Sequence, residues 1–298
     1  MAAALWWPLL AQVDQDSLIS IQVSRVVLHA TVREGKGRFV GDLQKQNFEV
    51  LEDGVRQEIV SFSREDLPVA AGILVDNSQS MFNKNSEVVA AAKAFVRASN
   101  PKDEIFVLHF NDHLTYGLPP NIPFTSERSL LFEALDRLSV DGQTALYDAI
   151  IEGLNQLKKS KLAKKALFVI SDGGDNLSRH KDTDVIRDAD LSGSLFYAIG
   201  IYDPMDGDAN PGVLRKLALN TGGEVFFPKE LAEVSKLCEN IARDLRSQYM
   251  ISYAPPEKAA GGRDYRKIQV RVKDPQRRKL VVRTRTGYYA SSTEGQKP

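Results

Sequence analysis

The chain has 298 residues with 39 basic and 39 acidic side chains, a length that allows one well-buried core and a smaller second domain. The balanced charge excludes the bulk electrostatic attraction typical of nucleic-acid and membrane-surface binders, and we expect no nucleic-acid partner. Cys238 is the single cysteine, which excludes an intrachain disulfide and a thiolate metal cluster.

The first twelve residues, 1–12, form an apolar stretch that then turns polar. The stretch is too short to cross a bilayer, and we expect no transmembrane segment. It resembles the apolar part of a secretory signal, although the basic residues that normally precede that part are missing. We predict an exported bacterial protein in which residues 1–12 are a truncated signal segment. A packed or disordered apolar tail is the alternative.

Residues 20–66 have the composition of short strands and hairpins. Val26–Val32 is rich in β-branched residues and partly alternates between apolar and polar side chains. The Asp53-Gly54 pair, which precedes the apolar segment Ile59–Phe62, is a typical hairpin signal. These features predict a small β unit before the main sheet.

From about residue 67 to 247, short apolar runs alternate with helical stretches. This alternation predicts βαβ units and therefore an α/β fold with a doubly wound, mostly parallel sheet. The last predicted helix carries Cys238 on its apolar face, where we expect it to pack as a small hydrophobic side chain. The predicted strands are 70–75, 105–110, 166–171, 195–200 and 224–227, and the predicted helices are 86–99, 127–138, 146–158, 212–219 and 230–247.

Strand-like segments return after residue 248, at 249–253, 267–273 and 280–285. Neither end of the chain has enough strands to form a stable sheet alone. We therefore predict a small β domain built from both ends, residues 20–66 and 248–290, with an α/β domain of residues 67–247 between them. The polar residues 291–298 are predicted to be a disordered tail.

A short apolar run, Ala71–Val75, ends abruptly in an acid followed by two hydroxyls at alternate positions. Such a run is typical of a strand covered on both faces in a parallel sheet. Asp76 then falls at the carboxyl end of the strand, where ligands of open α/β sheets bind. One turn can direct the oxygens of Asp76, Ser78 and Ser80 at a single point, and oxygen ligands select Mg²⁺, Mn²⁺ or Ca²⁺.

Two further segments bring polar side chains to the same edge of the predicted sheet. Thr144 lies just before a predicted helix, and Asp172 directly follows the predicted strand 166–171. Because the carboxyl ends of parallel strands share one edge, we expect Asp76, Thr144 and Asp172 to project from that edge. The alternative is that the two aspartates only cap the helices that follow them.

These segments together resemble the metal-ion-dependent adhesion site of von Willebrand factor type A domains, with Asp-x-Ser-x-Ser at 76–80, the threonine at 144 and Ser-Asp-Gly at 171–173. The resemblance implies a Rossmann-like fold and a coordination position left open for a partner's oxygen, typically a carboxylate. The ligands it implies are the hydroxyls of Ser78, Ser80 and Thr144, with Asp76 and Asp172 binding directly or through water.

The segments around this region resemble a narrower group, the VWFA-related family described from Acidobacteria. This similarity extends over nearly the full chain and supports a discontinuous β domain. Members of that family are commonly predicted to be exported, which agrees with the interpretation of the first residues. The segments include Asn47–Gly54, Arg246–Tyr249 and Thr286–Tyr289.

We predict a non-enzymatic, adhesion-type module in which a divalent cation, Mg²⁺ in the first place, bridges to an acidic residue of a protein partner. One alternative is a cytoplasmic adaptor of an ATPase-driven metal-insertion or remodelling complex, as some type A domains are. A metal-dependent hydrolase is disfavoured, because the sequence has no nucleophile elbow, phosphate loop or paired zinc histidines. Asp148 and Asp175 are predicted to support the ligands without touching the metal.

Overall fold

The computed structural model describes residues 25–35, 37–64, 66–137, 139–201, 210–256, 265–274, 276 and 278–290. The predicted signal segment 1–12 and the predicted tail 291–298 lie outside the described residues. Strands from the two chain ends form two four-stranded antiparallel sheets, and the middle of the chain forms a six-stranded, mostly parallel sheet.

The elements alternate in the central region as the sequence predicts. The first strands are β1 Val26–Glu34, β2 Phe48–Glu52, β3 Val55–Gln57 and β4 Ile59–Ser63. The central elements are β5 Val69–Asp76, α1 Asn85–Ala98, β6 Glu104–Phe110, β7 Leu114–Tyr116, α2 Arg128–Asp136, α3 Leu146–Lys158, β8 Lys164–Ser171, α4 Asp182–Ser192, β9 Leu195–Gly200, α5 Pro211–Thr221, β10 Val225–Phe226 and α6 Val234–Arg246. The last strands are β11 Tyr249–Tyr253, β12 Tyr265–Val272, β13 Leu280–Arg283 and β14 Gly287–Tyr289.

The central sheet has the strand order β10-β9-β8-β5-β6-β7, and only β7 runs antiparallel to its neighbour. Every residue of β5 is buried, because helices cover both faces of the sheet. Helix α1 packs against α2 and α6, while α4 packs against α3 and α5. The predicted doubly wound α/β fold is therefore confirmed, and Cys238 is buried in its core as expected.

The strands from the two chain ends pair with each other, as the sequence predicts. β1 lies between β11 and β13, and β2 lies between β3 and β12. Apolar residues of both sheets, such as Leu28 and Val50, belong to one buried cluster, so the two sheets pack face to face. This cluster is separate from the core of the central sheet.

Three local features differ from the sequence-based expectation. The Asp53-Gly54 turn forms, with φ angles of 48° and 83°, but it joins β2 to the short strand β3 and not to the segment Ile59–Phe62. That segment lies in β4, which pairs with β11 in the other outer sheet. Helix α4 was not expected, because five of its eleven residues are charged. The short strand β7 was also not expected, because all three of its residues are exposed.

A network of charged side chains joins the outer strands to the central region. Arg33 of β1 donates to Asp244 of α6 at 3.2 Å and lies 3.2 Å from Glu224. Arg283 of β13 contacts the same two carboxylates. The buried Tyr197 hydroxyl also donates to Asp244, at 2.8 Å. The carboxylate of Asp244 is therefore neutralised by two arginines that come from strands near opposite ends of the chain.

In the parts of the chain that the structure describes, every helix is too short or too polar to cross a membrane.

Candidate metal centre

The candidate ligands Asp76 and Asp172 come together because β5 and β8 are parallel neighbours. Val75 lies opposite Ile170 in this pair, so the two strands end side by side. Asp76 is the last residue of β5, and Asp172 follows Ser171, the last residue of β8. Both acids therefore project from the carboxyl edge of the sheet, as the sequence predicts.

Four of the five predicted ligands belong to one hydrogen-bonded network. The Asp76 Oδ1 atom accepts from the amide of Ser78 at 2.9 Å and from its hydroxyl at 2.6 Å. The Ser78 and Ser80 hydroxyl oxygens are 3.1 Å apart, and the Ser80 hydroxyl donates to Asp172. The turn after β5 thus connects the two carboxylates through two hydroxyls.

The fifth predicted ligand, Thr144, lies in a loop that is tied to both of the other loops. Its amide donates to the Asn176 side chain at 2.9 Å, and its carbonyl accepts from the amides of Asn176 and Leu177, each at 3.1 Å. On the other side, the amide of Gln79 donates to the carbonyl of Gly142 at 3.1 Å. Backbone hydrogen bonds therefore hold the Thr144 loop between the loops that carry the other candidates.

Ser171 has a contact that the sequence analysis missed. Its hydroxyl donates to the Asp76 Oδ2 atom at 2.6 Å and accepts from the amide of Gly173 at 2.9 Å. Gly173 has a φ of 86°, a left-handed conformation that favours glycine and turns the chain sharply after Asp172. Ser171 thus fixes the orientation of the Asp76 carboxylate. In the sequence, only its position directly before the candidate ligand Asp172 indicated that Ser171 belongs to the site.

Asp148 and Asp175 hold the loop after β8 against the start of α3. The Asp175 Oδ1 atom accepts from the amide of Tyr147 at 3.1 Å and from the hydroxyl of Ser178 at 2.6 Å. The Asp148 Oδ1 atom contacts the His180 Nδ1 atom at 2.7 Å. Asp148 and Asp175 therefore fix the loop that follows Asp172 by hydrogen bonds between this loop and the first turn of α3.

The electrostatics of the network are unusual for buried acids. Asp76 and Asp172 are 1% and 3% exposed, and no described Lys, Arg or His forms an ion pair with either of them. Burial, and then the negative charge of Asp172, raise the pKa of Asp76 to about 7. The ionised site therefore lacks a positive charge.

The donor set fits a hard divalent cation. Among the described residues, no group of three or more His, Cys, Asp or Glu side chains is placed to hold a metal. A cation at Asp76 and Asp172 would therefore depend on hydroxyl oxygens to complete its coordination, and the network supplies them. Oxygen ligands of this kind suit Mg²⁺, Ca²⁺ or Mn²⁺ better than softer metals.

Comparison with known families identifies this fold. A model of the von Willebrand factor type A domain matches residues 72–240, which is more than half of the 298 residues. The chain belongs to the von Willebrand factor type A domain family. No curated protein matches the chain.

Solved structures with the same fold share little sequence with this chain. A von Willebrand factor type A protein from Catenulispora acidiphila is 15% identical with a TM-score of 0.54, over 78% of this chain and 72% of that chain. The vWF domain of the type V pili tip protein Mfa5 from Porphyromonas gingivalis is 14% identical with a TM-score of 0.50, over 60% and 95%. Proximal thread matrix protein 1 from the mussel byssus is 18% identical with a TM-score of 0.51, over 65% of this chain and 49% of that one. In that structure the metal-ion-dependent adhesion site (MIDAS) motif is occupied by zinc. These similarities establish the fold.

Proposed function

We propose that this chain is a metal-dependent protein-binding module, in which a divalent cation bridges its own site to an acidic residue of a partner. The observation that carries the proposal is the network from Asp76 through Ser78 and Ser80 to Asp172. Its two buried carboxylates lack a described cationic partner, although burying an unpaired charge is costly. A bound cation removes that cost.

The five side chains have distinct roles in this proposal. Asp76 and Asp172 supply the negative charge, directly or through water, and the hydroxyls of Ser78, Ser80 and Thr144 complete the site. Two carboxylates balance the charge of one divalent ion, and neutral hydroxyls supply the other ligands, so that one coordination position is left open for a partner's carboxylate oxygen. Ser171 orients Asp76, and Asp148 and Asp175 hold the loop after β8.

Family membership supports binding, rather than catalysis, as the activity. Domains of the von Willebrand factor type A family are generally interaction modules, and one similar structure has a zinc-occupied MIDAS motif. We propose that this module acts outside the cytoplasm, as expected for a fold that is shared with a pilus tip protein and a byssus matrix protein. Mg²⁺ is the proposed ion, with Mn²⁺ and Ca²⁺ as substitutes.

Isothermal titration calorimetry with Mg²⁺, Mn²⁺ and Ca²⁺ tests the metal site. We expect the wild-type chain to bind one ion, and Asp76→Asn and Asp172→Asn to bind none while keeping the wild-type circular dichroism spectrum. Asp136→Asn is the matched control, because this exposed carboxylate at the end of α2 pairs only with Lys93 among its described contacts. If wild type binds no ion, alone or with an acidic peptide that supplies a carboxylate, the proposal is wrong.

A further inference from the structure

Two large apolar side chains are exposed beside the candidate metal site. Phe82 is 69% exposed and Leu177 is 41% exposed. Phe82 lies two residues after Ser80, in the short 3₁₀ helix Gln79–Lys84. The amide of Leu177 donates to the carbonyl of Thr144 at 3.1 Å. Phe82 is therefore close to Ser80 along the chain, Leu177 is bonded to Thr144 through the backbone, and the two apolar residues come from different loops.

The exposure of the ligands defines the side from which a partner reaches the ion. Asp76, Ser78, Thr144 and Asp172 are buried, whereas Ser80 is exposed. The exposed turn that carries Ser80 is therefore one side from which a group of another molecule can approach the ion. Phe82 is exposed on that same turn, so it lies beside the path of approach.

The turn that presents Phe82 is firmly anchored. Met81 is buried in the core of the central sheet, and its amide donates to the carbonyl of Ser78 at 3.0 Å. The ammonium group of Lys84 donates to the carbonyl of Ile201 at 3.1 Å. A turn whose backbone is already fixed loses little backbone entropy when a partner covers its side chain, which favours binding.

The chemistry of the site specifies the charge of the partner group. The described chain places two carboxylates at the site and no third acidic or imidazole group that would complete a metal cluster. A divalent ion held there attracts an additional carboxylate more strongly than a neutral or basic group. The partner segment must therefore combine an acidic side chain with apolar neighbours.

We propose that Phe82 and Leu177 form an apolar rim around the metal site, and that the rim selects a protein segment in which Asp or Glu lies next to large aliphatic or aromatic residues. This inference rests on the proposed function and names the class of partner. The carboxylate binds the ion, and the neighbouring apolar side chains cover Phe82 and Leu177. Large apolar side chains that a partner covers near the centre of an interface, here beside the metal-bound carboxylate, contribute much of its affinity.

Selection from a displayed peptide library tests the rim. The peptides carry one fixed Asp with randomised residues on both sides, and they are selected on the full chain with Mg²⁺ and, in parallel, with a chelator. We expect peptides enriched only with Mg²⁺ to have large apolar residues within a few positions of the Asp. For these peptides, Phe82→Ser and Leu177→Ser should each weaken binding about tenfold.

Leu191→Ser and Leu219→Ser are the matched controls. These leucines are 60% and 64% exposed, but they lie near the C-terminal ends of α4 and α5, away from the candidate ligands. Neither substitution should change peptide affinity. Calorimetric Mg²⁺ binding should be unchanged in all four serine variants, which separates loss of the rim from loss of the metal site.

Three outcomes would overturn the rim while leaving the metal site in place, provided that calorimetry registers the ion. They are Mg²⁺-dependent peptides without apolar neighbours, affinities unchanged in Phe82→Ser and Leu177→Ser, and a selection that enriches no Mg²⁺-dependent peptide. If calorimetry registers no ion even with an acidic peptide, the proposed function fails, and the rim fails with it.

Discussion

Buried acids occur in both the outer sheets and the central sheet, but their partners differ. Glu52 of β2 accepts from the Arg266 guanidinium at 2.8 Å and from the Tyr253 hydroxyl at 2.6 Å. Asp76 of β5 has only hydroxyl and amide donors among its described contacts. The first carboxylate is neutralised inside the protein and is structural. The second lacks a positive charge, which is what a cation-binding site requires.

The largest expected effect comes from breaking the internal ion pair of the outer sheets. Arg266→Ala leaves Glu52 buried with no cationic partner, and removing one member of a buried pair costs about 3–5 kcal/mol of the free energy of unfolding. Urea denaturation measures the loss, and Mg²⁺ should leave the difference between the variant and wild type unchanged because the metal site is intact in both. Arg56→Ala is the control, because its exposed contact with Glu49 at 3.8 Å is worth less than about 1 kcal/mol. Equal losses of stability in Arg266→Ala and Arg56→Ala would show that the buried ion pair contributes no more than an exposed one.

Removing the charge of Asp76 should not lower the stability of the metal-free protein, in contrast to Arg266→Ala. Asp76→Asn eliminates a buried carboxylate with no described cationic partner, so the metal-free protein should be at least as stable as wild type at neutral pH. Mg²⁺ at about one hundred times its dissociation constant should stabilise wild type by about 2.7 kcal/mol and leave the variant unchanged. Thermal unfolding with and without Mg²⁺ measures both effects. A variant that melts well below metal-free wild type would show a structural role for Asp76.

The raised pKa of Asp76 predicts a pH dependence of both stability and metal binding. Its pKa rises from 3.8 to about 7, so between these values the folded chain binds more protons than the unfolded chain. The free energy of unfolding without metal should therefore fall as the pH rises through this range. Mg²⁺ competes with the proton, so its affinity should increase up to about tenfold per pH unit and level off above about pH 7.

Calorimetry across this pH range checks the slope, and denaturation without metal checks its sign. In Asp76→Asn, the free energy of unfolding should not fall over this pH range, and no increase in Mg²⁺ affinity should be measured. An Mg²⁺ affinity that is constant between about pH 5 and 7 would exclude Asp76 as the titrating ligand.

The smallest expected effect concerns the residue that orients Asp76. Ser171→Ala removes a hydrogen bond to Asp76 Oδ2, a loss of about 1 kcal/mol, which corresponds to an Mg²⁺ affinity about fivefold weaker. Ser61→Ala is the matched control, because it removes the 2.5 Å contact with Ser252 in an outer sheet. This control should leave Mg²⁺ affinity unchanged in the same calorimetric titration. Equal affinities in both variants would show that Asp76 needs no support from Ser171.

The order of the central elements and the gathering of Asp76 and Asp172 were predictable, because both follow from strand periodicity and from the geometry of parallel sheets. The pairing of strands from the chain ends was also predictable, since neither end has enough strands for a stable sheet. Family resemblance added Thr144 to the candidate ligands. These features depend on local pattern and on simple rules of topology.

Contacts between distant residues were not predictable in the same way. The Glu52 and Arg266 side chains meet across 214 positions, and nothing in the local sequence of either residue indicates the other. Helix α4 was missed because five of its eleven residues are charged, which leaves few apolar positions to show the helical period. The exposure of Phe82 was also hidden, because neighbouring Met81 is equally apolar and is buried.

The pairing of β1 with β11 and β13 has a consequence for synthesis of the chain. Leu28 pairs with Ile251, and Val32 pairs with Val282, so the first strand is made long before its partners leave the ribosome. The central sheet takes all its strands from the intervening residues and can fold in the meantime. Until β11 to β14 have left the ribosome, the strands β1 to β4 lack these partners and have open edges. Chaperones protect such edges from aggregation.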